Sequence, residues 1–163
     1  MRTVMMIIAM LWTLTMSGQS IAVSDTIPVA ANFAAMTADG RVVELRALPK
    51  DKLTLLVFYD PDCRDCRQML FALRHASIVK ETIEQGLLQV MAVDVDANEA
   101  LWRESNGELP ATWMKTLLRS DLSQSRLYDT SAVPMLYLLD ADHRVMLVDN
   151  DVLTLTKLLN SLW

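Results

Sequence analysis

The sequence predicts an α/β fold in which a central, mixed β-sheet is flanked by helices. Short apolar runs of strand character, such as LTLLVFY at 53–59 and LLQVMAVDV at 87–95, alternate with segments whose apolar residues recur at helical spacing. Strands that alternate with helices favour a layered α/β domain. With 163 residues, of which 52% are hydrophobic, the chain is large enough for one domain with a substantial core.

The first half of that domain is predicted from local signals. The run at 53–59 predicts a buried strand, and Asp60-Pro61-Asp62 predicts a turn after it. Helical spacing begins at Cys63, which is therefore expected in the first turn of a helix. We expect this helix to break near Ser77 and its continuation to stop at Gly86, a residue common after helix ends.

The second half of the sequence predicts another strand, two helices, a hairpin and a final helix. The expected elements are a strand at 87–95, helices at 98–105 and from 109–110, hairpin strands at 134–139 and 144–148, and a helix from Asp151. Five leucines at helical spacing are expected to face the core from the last helix: Leu153, Leu155, Leu158, Leu159 and Leu162.

Charge and the N-terminal segment narrow the function classes. The formal net charge is −5 and basic residues form no cluster, so a nucleic-acid partner is not expected. Residues 1–24 combine Arg2, an apolar stretch from Val4 to Met16, and small and polar residues that end in Ser20-Ile21-Ala22, which is the plan of a secretory signal. The apolar stretch is shorter than the roughly 20 residues that a membrane span needs, although an uncleaved anchor is the alternative. The sequence thus predicts export and a mature domain at 25–163.

The chain has two cysteines, Cys63 and Cys66, and three roles are open to them. A structural disulfide between them would close almost no loop and would stabilise the fold little. A metal site needs about four ligands, and only His75 and His143 could join the thiols, at spacings that fit no zinc motif. We expect both histidines at the surface, and carriage of copper by the two thiols alone is the remaining metal hypothesis.

The third role is a redox pair. A cysteine in the first turn of a helix lies where unpaired N–H groups and the helix dipole favour an anion, and the thiolate is the attacking species. Cys66 lies one turn further along the same face and is expected to be less exposed. The spacing therefore predicts an outer, attacking sulfur on Cys63 and an inner, resolving sulfur on Cys66.

At these residues the sequence resembles thioredoxin-like proteins, specifically the exported TlpA- and ResA-like group. The strand, turn, CxxC (residues 63–66) and helix are similar to theirs. So are a lead-in at 29–48, with a Phe, an Asp-Gly turn and a strand ending in Leu-x-x-Leu, and a later segment at 128–147. The resemblance spans roughly residues 29–162. The YDPDCxxC stretch also resembles exported proteins of Bacteroides-type bacteria, which implies a periplasmic location.

The resemblance implies a thioredoxin fold with an N-terminal β extension and a helical insertion near 97–125. It implies that Pro134 is a cis-proline, and that Val133 and Pro134 hold the substrate backbone while Tyr59 and Pro61 shape the rim. Two tryptophans of the insertion, Trp102 and Trp113, are expected to pack onto the sheet, with a hydrophobic partner surface as the alternative.

Two departures from thioredoxin concern the redox chemistry. Asp62 stands where thioredoxin has a Trp, and Val57 stands where it has a buried acid that helps to move the resolving thiol's proton. That help is therefore missing or comes from elsewhere. The acids near the sulfurs outnumber the bases by one, which opposes a thiolate and favours a reductase. The effect is slight, because exposed charges are screened. The charged residues counted are Asp60, Asp62, Asp65, Arg64 and Arg67.

The expected activity is that of an exported thiol–disulfide oxidoreductase, with catalytic Cys63 and Cys66, no metal, and no cofactor beyond their own disulfide. Its expected partners are proteins with disulfides or thiols and a membrane electron donor or oxidant. The alternatives are a copper-carrying thioredoxin-fold protein, a binding module whose cysteines do not cycle, and a peroxidase that would oxidise Cys63 to a sulfenic acid.

Overall fold

The computed structural model describes residues 27–163, so the predicted signal segment at 1–24 lies outside the described residues. Seven strands form one sheet: β1 (Ala34–Thr37), β2 (Val42–Glu44), β3 (Leu53–Tyr59), β4 (Leu88–Asp94), β5 (Met114–Leu118), β6 (Met135–Leu139) and β7 (Val145–Asp149). Four α-helices accompany it: α1 (Arg64–His75), α2 (Ser77–Glu84), α3 (Glu99–Ser105) and α4 (Val152–Leu162). Short 3₁₀ helices lie at Leu45–Ala47 and Asn106–Glu108.

The sheet is mixed, and its strand order is β2-β1-β5-β4-β3-β6-β7. Strands β3, β4 and β5 run parallel, and β6 pairs antiparallel with β3. The hairpin of β6 and β7 forms one edge, while the hairpin of β1 and β2 joins the other edge through β5. This architecture confirms the predicted mixed sheet with flanking helices and has the thioredoxin fold.

Strand β3 lies inside the sheet, between β4 and β6, and is buried on both faces. Its residues Leu55, Val57 and Tyr59 point to one hydrophobic core, which also contains the inner faces of α1 and α4. Leu56 and Phe58 point to the other core, which the lead-in residues and the segment before β6 cover. Because both faces of β3 are packed, the end of this strand, which leads to Cys63, is held in place from two sides.

The insertion after β4 differs from the predicted one. Residues 98–105 are helical as expected, but the helix predicted from Leu109-Pro110 is wrong: the chain turns there and enters β5. The segment MKTLL is too short for its apolar pattern to distinguish strand from helix. Pairing with β4 on one side and β1 on the other decides for a strand. Trp102 and Trp113 are 0% and 5% exposed, which confirms that they pack inside the fold.

Two further predictions about burial were wrong. In α4, Leu155 and Leu159 are fully buried, but Leu153 is 58% exposed and Leu162, in the last turn, is 41% exposed. The helix begins at its cap Asp151, so Val152 and Leu155 share the inner face and Leu153 points away from it.

His143, expected at the surface, is only 3% exposed. It lies in the β6–β7 turn with a φ of 60°, and the lead-in covers this turn: the amide of Ala30 donates to the carbonyl of His143 at 2.8 Å, and Val29 bridges to Arg144. His75 is exposed as expected. Across residues 27–163, no helix is both long and apolar enough to cross a membrane.

Candidate active site

The two cysteines lie where β3 leads into α1. Residues 60–62 form a turn that two hydrogen bonds stabilise. The Cys63 amide donates to the carbonyl of Asp60 at 3.1 Å, and the Asp62 amide donates to Oδ1 of Asp60 at 2.7 Å. Cys63 has extended backbone angles and is the N-cap of α1. The helix therefore starts at the residue after Cys63, as the pattern from Cys63 onward predicted.

Cys63 carries the accessible sulfur. Its side chain is partly exposed, and its Sγ accepts a hydrogen bond from the backbone N–H of Cys66 at 3.1 Å. This is the hydrogen bond that a capping Ser or Asp makes, and it satisfies one of the free N–H groups of the first turn. Because donor and helix dipole both favour negative charge on this sulfur, the position suits a thiolate.

Cys66 carries the inaccessible sulfur. The residue is 0% exposed and belongs to the core beneath α1. Its Sγ accepts a long hydrogen bond, 3.5 Å, from the backbone N–H of Asp60. Burial, and then the neighbouring Cys63 sulfur, raise the pKa of the Cys66 thiol to about 12. The structure holds both cysteines as free thiols, with one sulfur open to solvent and the other sealed and protonated.

Val133 and Pro134 lie at the same end of the strands as the cysteines. Met135, the first residue of β6, pairs with Phe58, so Pro134 stands beside the end of β3 from which the chain passes to Cys63. The Val133–Pro134 peptide bond is cis. Val133 is half-buried and packs against both hydrophobic cores.

Tyr59 and Pro61 lie deeper than a rim position suggests. Tyr59 is 2% exposed and Pro61 is buried. Both line a cavity of about 500 Å³ between the side of α1 and the α3 region. Tyr59 is therefore a fully buried core residue that also contributes to the inner wall of this cavity. Its hydroxyl has no hydrogen-bond partner among the described residues, and burial raises its pKa well above the ordinary value.

The charged residues next to the sulfurs face solvent. Asp62, Arg64 and Asp65 are exposed, and Val57, at the position where thioredoxin has an acid, is fully buried in the core. Arg67 donates from Nη1 to the carbonyl of Pro61 at 3.0 Å, which ties the helix back to the turn. Within residues 27–163, no three His, Cys, Asp or Glu side chains are grouped as metal ligands.

Sequence reasoning missed one acid of this region, Asp94. It is the last residue of β4, pairs with Tyr59 on β3, and is 0% exposed. Its Oδ1 accepts from the amide of Asp96 at 2.8 Å, while its Oδ2 has no partner among the described residues. Burial, together with the negative charges of Asp96 and Asp60, raises the pKa of Asp94 to about 7. The signal was available, because Asp94 is an acid inside the predicted buried run 87–95.

Solved structures share this arrangement of sheet and helices. A thioredoxin-like protein from Bacteroides caccae ATCC 43185 has a TM-score of 0.77 at 28% identity, over 84% of this chain and 50% of that one. A conserved protein of unknown function from Bacteroides fragilis has a TM-score of 0.73 at 32% identity, over 80% of this chain and 96% of that one. The thioredoxin domain of a thiol-disulfide oxidoreductase from Bacteroides vulgatus has a TM-score of 0.69 at 20% identity, over 84% and 96% of the two chains, a likeness of fold alone.

The chain therefore spans about half the length of the B. caccae protein and nearly the whole length of the other two. No curated protein matches the chain in sequence. The AhpC/TSA family matches residues 27–148, from the lead-in to the β6–β7 hairpin. This match covers three quarters of the chain and includes both cysteines, and the chain belongs to the AhpC/TSA family of thioredoxin-like proteins.

Proposed function

We propose that this protein is an exported thiol–disulfide oxidoreductase that reduces protein disulfides with Cys63 and Cys66. The observation that carries the proposal is the asymmetry of the pair. The Cys63 sulfur is open and accepts a hydrogen bond at a helix N-terminus, while the Cys66 sulfur is sealed behind it. One open and one sealed thiol, joined by a 3.1 Å N–H···S bond between their residues, suit sequential attack and resolution.

The reaction has two steps. In the first, the Cys63 thiolate attacks one sulfur of a substrate disulfide; a Cys63–substrate disulfide forms, and the other substrate sulfur leaves as a thiolate that takes up a proton. In the second, Cys66 loses its proton and attacks Cys63. The Cys63–Cys66 disulfide forms and the second substrate thiolate leaves and is protonated. The substrate gains two electrons and two protons, and the enzyme pair loses them.

The substrate backbone is proposed to lie along Val133 and Pro134. These residues stand at the edge where β3 ends, beside the residue run that leads to Cys63. Tyr59, the last residue of β3, and Pro61 are proposed to shape this site from the side of the cavity that they line. The names of two solved neighbours agree with this chemistry: a thiol-disulfide oxidoreductase from B. vulgatus and a thiol:disulfide interchange protein from a Bacteroides species.

Direction and location belong to the same proposal. The sequence of residues 1–24 supports export to the periplasm. Exposed acids beside the sulfurs weaken the preference for the thiolate, and a less stabilised thiolate means a less oxidising disulfide. We therefore expect reduction of substrates, with electrons resupplied by a membrane donor.

Trapping of mixed disulfides tests the proposal directly. The wild-type protein should catalyse reduction of a model disulfide substrate by dithiothreitol. Cys66→Ser should accumulate a covalent adduct with that substrate, seen by mass spectrometry, because the second step is removed. Cys63→Ser is the matched control and should form no adduct. Equal adduct formation by the two variants would contradict the assignment of the attacking sulfur.

The reduction potential of the Cys63–Cys66 pair distinguishes a reductase from an oxidase, and its measurement also shows whether the pair cycles at all. Equilibration in dithiol/disulfide buffers, read by alkylation, should give a value near about −270 mV, as for thioredoxin, whereas a value near about −120 mV would indicate an oxidant. A pair that does not cycle would refute the enzyme. Tight Cu(I) binding that is lost in both serine variants would then favour copper carriage, and unchanged partner binding in those variants would favour a passive module.

A further inference from the structure

The cavity of about 500 Å³ between the side of α1 and the α3 region, here named the α1–α3 cavity, begins beside the cysteine turn. Its near end is lined by Pro61, two residues before Cys63, and by Arg67, one helical turn after Cys63. Arg67 donates from Nη1 to the carbonyl of Pro61 at 3.0 Å, which joins the helix to the turn at this end. A partner bound at Cys63 therefore lies next to the cavity.

The α1–α3 cavity and Pro134 lie on opposite sides of the end of β3. In the sheet, β3 stands between β4 and β6, and Pro134 directly precedes β6. Helix α3 follows β4 instead and is fixed toward β5 and β1. Glu99 pairs with Arg119, the residue after β5, at 2.9 Å, and Arg103 donates to the carbonyl of Ala38, the residue after β1, at 3.0 Å. The cysteine turn thus lies between Pro134 and the cavity.

Apolar side chains line the α1–α3 cavity from both walls. Leu70 on α1 and Leu109, in the loop after the second 3₁₀ helix, are each 8% exposed and form its buried part. Phe71 is 56% exposed and stands at the open side, where the Arg74 guanidinium lies 5.0 Å from the centre of its ring. Aromatic rings and arginines are the residues that most often dominate binding between proteins. The cavity therefore combines a buried apolar floor with an aromatic rim.

The α1 wall has the length of a short peptide segment. Arg67 and Arg74 lie seven residues apart on α1, which is about 10 Å along a helix. Arg74 donates from Nη1 to the carbonyl of Glu108 at 3.0 Å, so the far end of the cavity is joined to the α3 region. About three residues of extended chain span the distance between the two ends.

The charges around the α1–α3 cavity favour an uncharged occupant. Two arginines and two glutamates line it, and none of the four forms a salt bridge among residues 27–163: Arg67, Arg74, Glu104 and Glu108. Their formal charges cancel, so neither an acidic nor a basic segment is attracted overall. Both arginines donate to main-chain carbonyls of this protein, and carboxylates accept from main-chain N–H groups. A neutral polypeptide main chain offers both kinds of group.

We propose that the α1–α3 cavity is a specificity site for an apolar side chain on an extended, uncharged segment of the partner protein, close to the partner's reactive cysteine. The proposal rests on the proposed function and deepens it, because the segment runs from Pro134 past Cys63 into the cavity. Its apolar side chain packs between Leu70 and Leu101. Partners are thus selected by an apolar residue on one side of their cysteine.

Peptide disulfides measure this preference. Neutral, blocked glycine peptides carry one cysteine as its mixed disulfide with 2-nitro-5-thiobenzoate, and leucine stands two or three residues before the cysteine, after it, or nowhere. In the Cys66→Ser protein, the Cys63 thiolate attacks the peptide sulfur, the Cys63–peptide disulfide forms, and nitrothiobenzoate leaves as a coloured thiolate. Leucine on one side of the cysteine should raise the rate constant at least about tenfold over the glycine peptide. Glutamate or lysine at that position should give no such gain.

Substitutions inside and outside the α1–α3 cavity locate the preference. Phe71→Ala removes the exposed ring, and Ser105→Trp fills the cavity from the α3 wall; each should lower the leucine-to-glycine rate ratio below about threefold. The ratio cancels any effect of a substitution on the Cys63 sulfur itself. Leu87→Ala is the matched control, because Leu87 is a 39% exposed apolar residue directly before β4, at the end of the strands away from the cysteines. It should keep the wild-type ratio.

Three results would overturn the proposal: a ratio near one when the cavity is unsubstituted, an unchanged ratio in both cavity variants, or an equal gain from the glutamate or lysine peptides. Failure of the proposed function would look different. Cys63 would then release no nitrothiobenzoate from any peptide, or the protein with both cysteines would not go on to form the Cys63–Cys66 disulfide.

Discussion

Replacing Asp94 with Asn is expected to change the free energy of unfolding relative to the wild type by an amount that becomes more favourable as the pH rises from 4 to 8. Asp94 is 0% exposed and has an oxygen without a partner among the described residues, so folding disfavours its charged form. Its pKa is raised from 3.8 to about 7 by burial and by neighbouring acids. The folded state therefore binds a proton more tightly than the unfolded state does.

The sign and size follow from linkage. Between pH 3.8 and about 7 the folded protein holds a proton on Asp94 that the unfolded chain has released, so the free energy of unfolding falls as pH rises across this window. Each pH unit corresponds to about 1.4 kcal/mol, which sets an upper limit of about 4 kcal/mol. Because the surroundings of a buried charge relax and so reduce its cost below this limit, we expect about 2 kcal/mol. Asn carries no charge and is exempt from this loss.

Urea unfolding of wild type and Asp94→Asn at pH 4, 5.5, 7 and 8.5 measures the effect. The difference in the free energy of unfolding should grow with pH and level off above about pH 7.5. An unpaired Asn amide adds a constant offset, so only the change with pH is diagnostic. Asp96→Asn is the control and should show a smaller change. A difference that stays constant from pH 4 to 8.5 would refute the argument that Asp94 titrates near neutrality in the folded state.

Three further outcomes are expected. Iodoacetamide at pH 7 should alkylate Cys63 at least about a hundredfold faster than Cys66, because the Cys63 sulfur is accessible whereas the Cys66 sulfur is buried and has a raised pKa. Peptide mass spectrometry measures the two alkylation rates. Similar rates would contradict the asymmetry of the pair. Leu155→Ala should cost about 2–5 kcal/mol of unfolding free energy, whereas Leu153→Ala, at a 58% exposed position of the same helix, should stay within about 0.5 kcal/mol. Asp151→Ala should cost about 1 kcal/mol, because its carboxylate accepts from two amides of the first turn of α4, and Asp151→Ser should restore most of that loss; equal thermal stability of all three proteins would exclude the cap.

The active-site segment could be predicted because its signals are local. Strand 53–59, the turn at 60–62 and the start of α1 after Cys63 all follow from residues adjacent in the chain. The greater burial of Cys66 follows from the same helical spacing. Strand β5 could not be predicted with equal ease, because five residues of mixed character form a strand only when β4 and β1 supply partners on both sides.

The burial of individual residues shows the same division. The helical spacing of α4 correctly placed Leu155 and Leu159 in the core, but Leu153 lies two residues, about 200°, from Leu155 around the helix and is exposed, as is Leu162 in the last turn. Likewise, His143 looks like an ordinary turn residue in the sequence, and only the folded structure places the lead-in residues Val29 and Ala30 against its turn.

The sequence by itself determined that this protein has two thiols one helical turn apart at the head of a helix, directly after a buried strand. Helix periodicity, capping and turn chemistry are properties of neighbouring residues, so they can be read without knowing the fold. Only the tertiary structure decided what lies near those thiols: that Val133 and Pro134 lie beside the end of β3, and that Asp94 and Tyr59 end adjacent strands with buried, unpartnered oxygens. Those contacts depend on strand register between segments far apart in the chain, and local patterns carry no information about register.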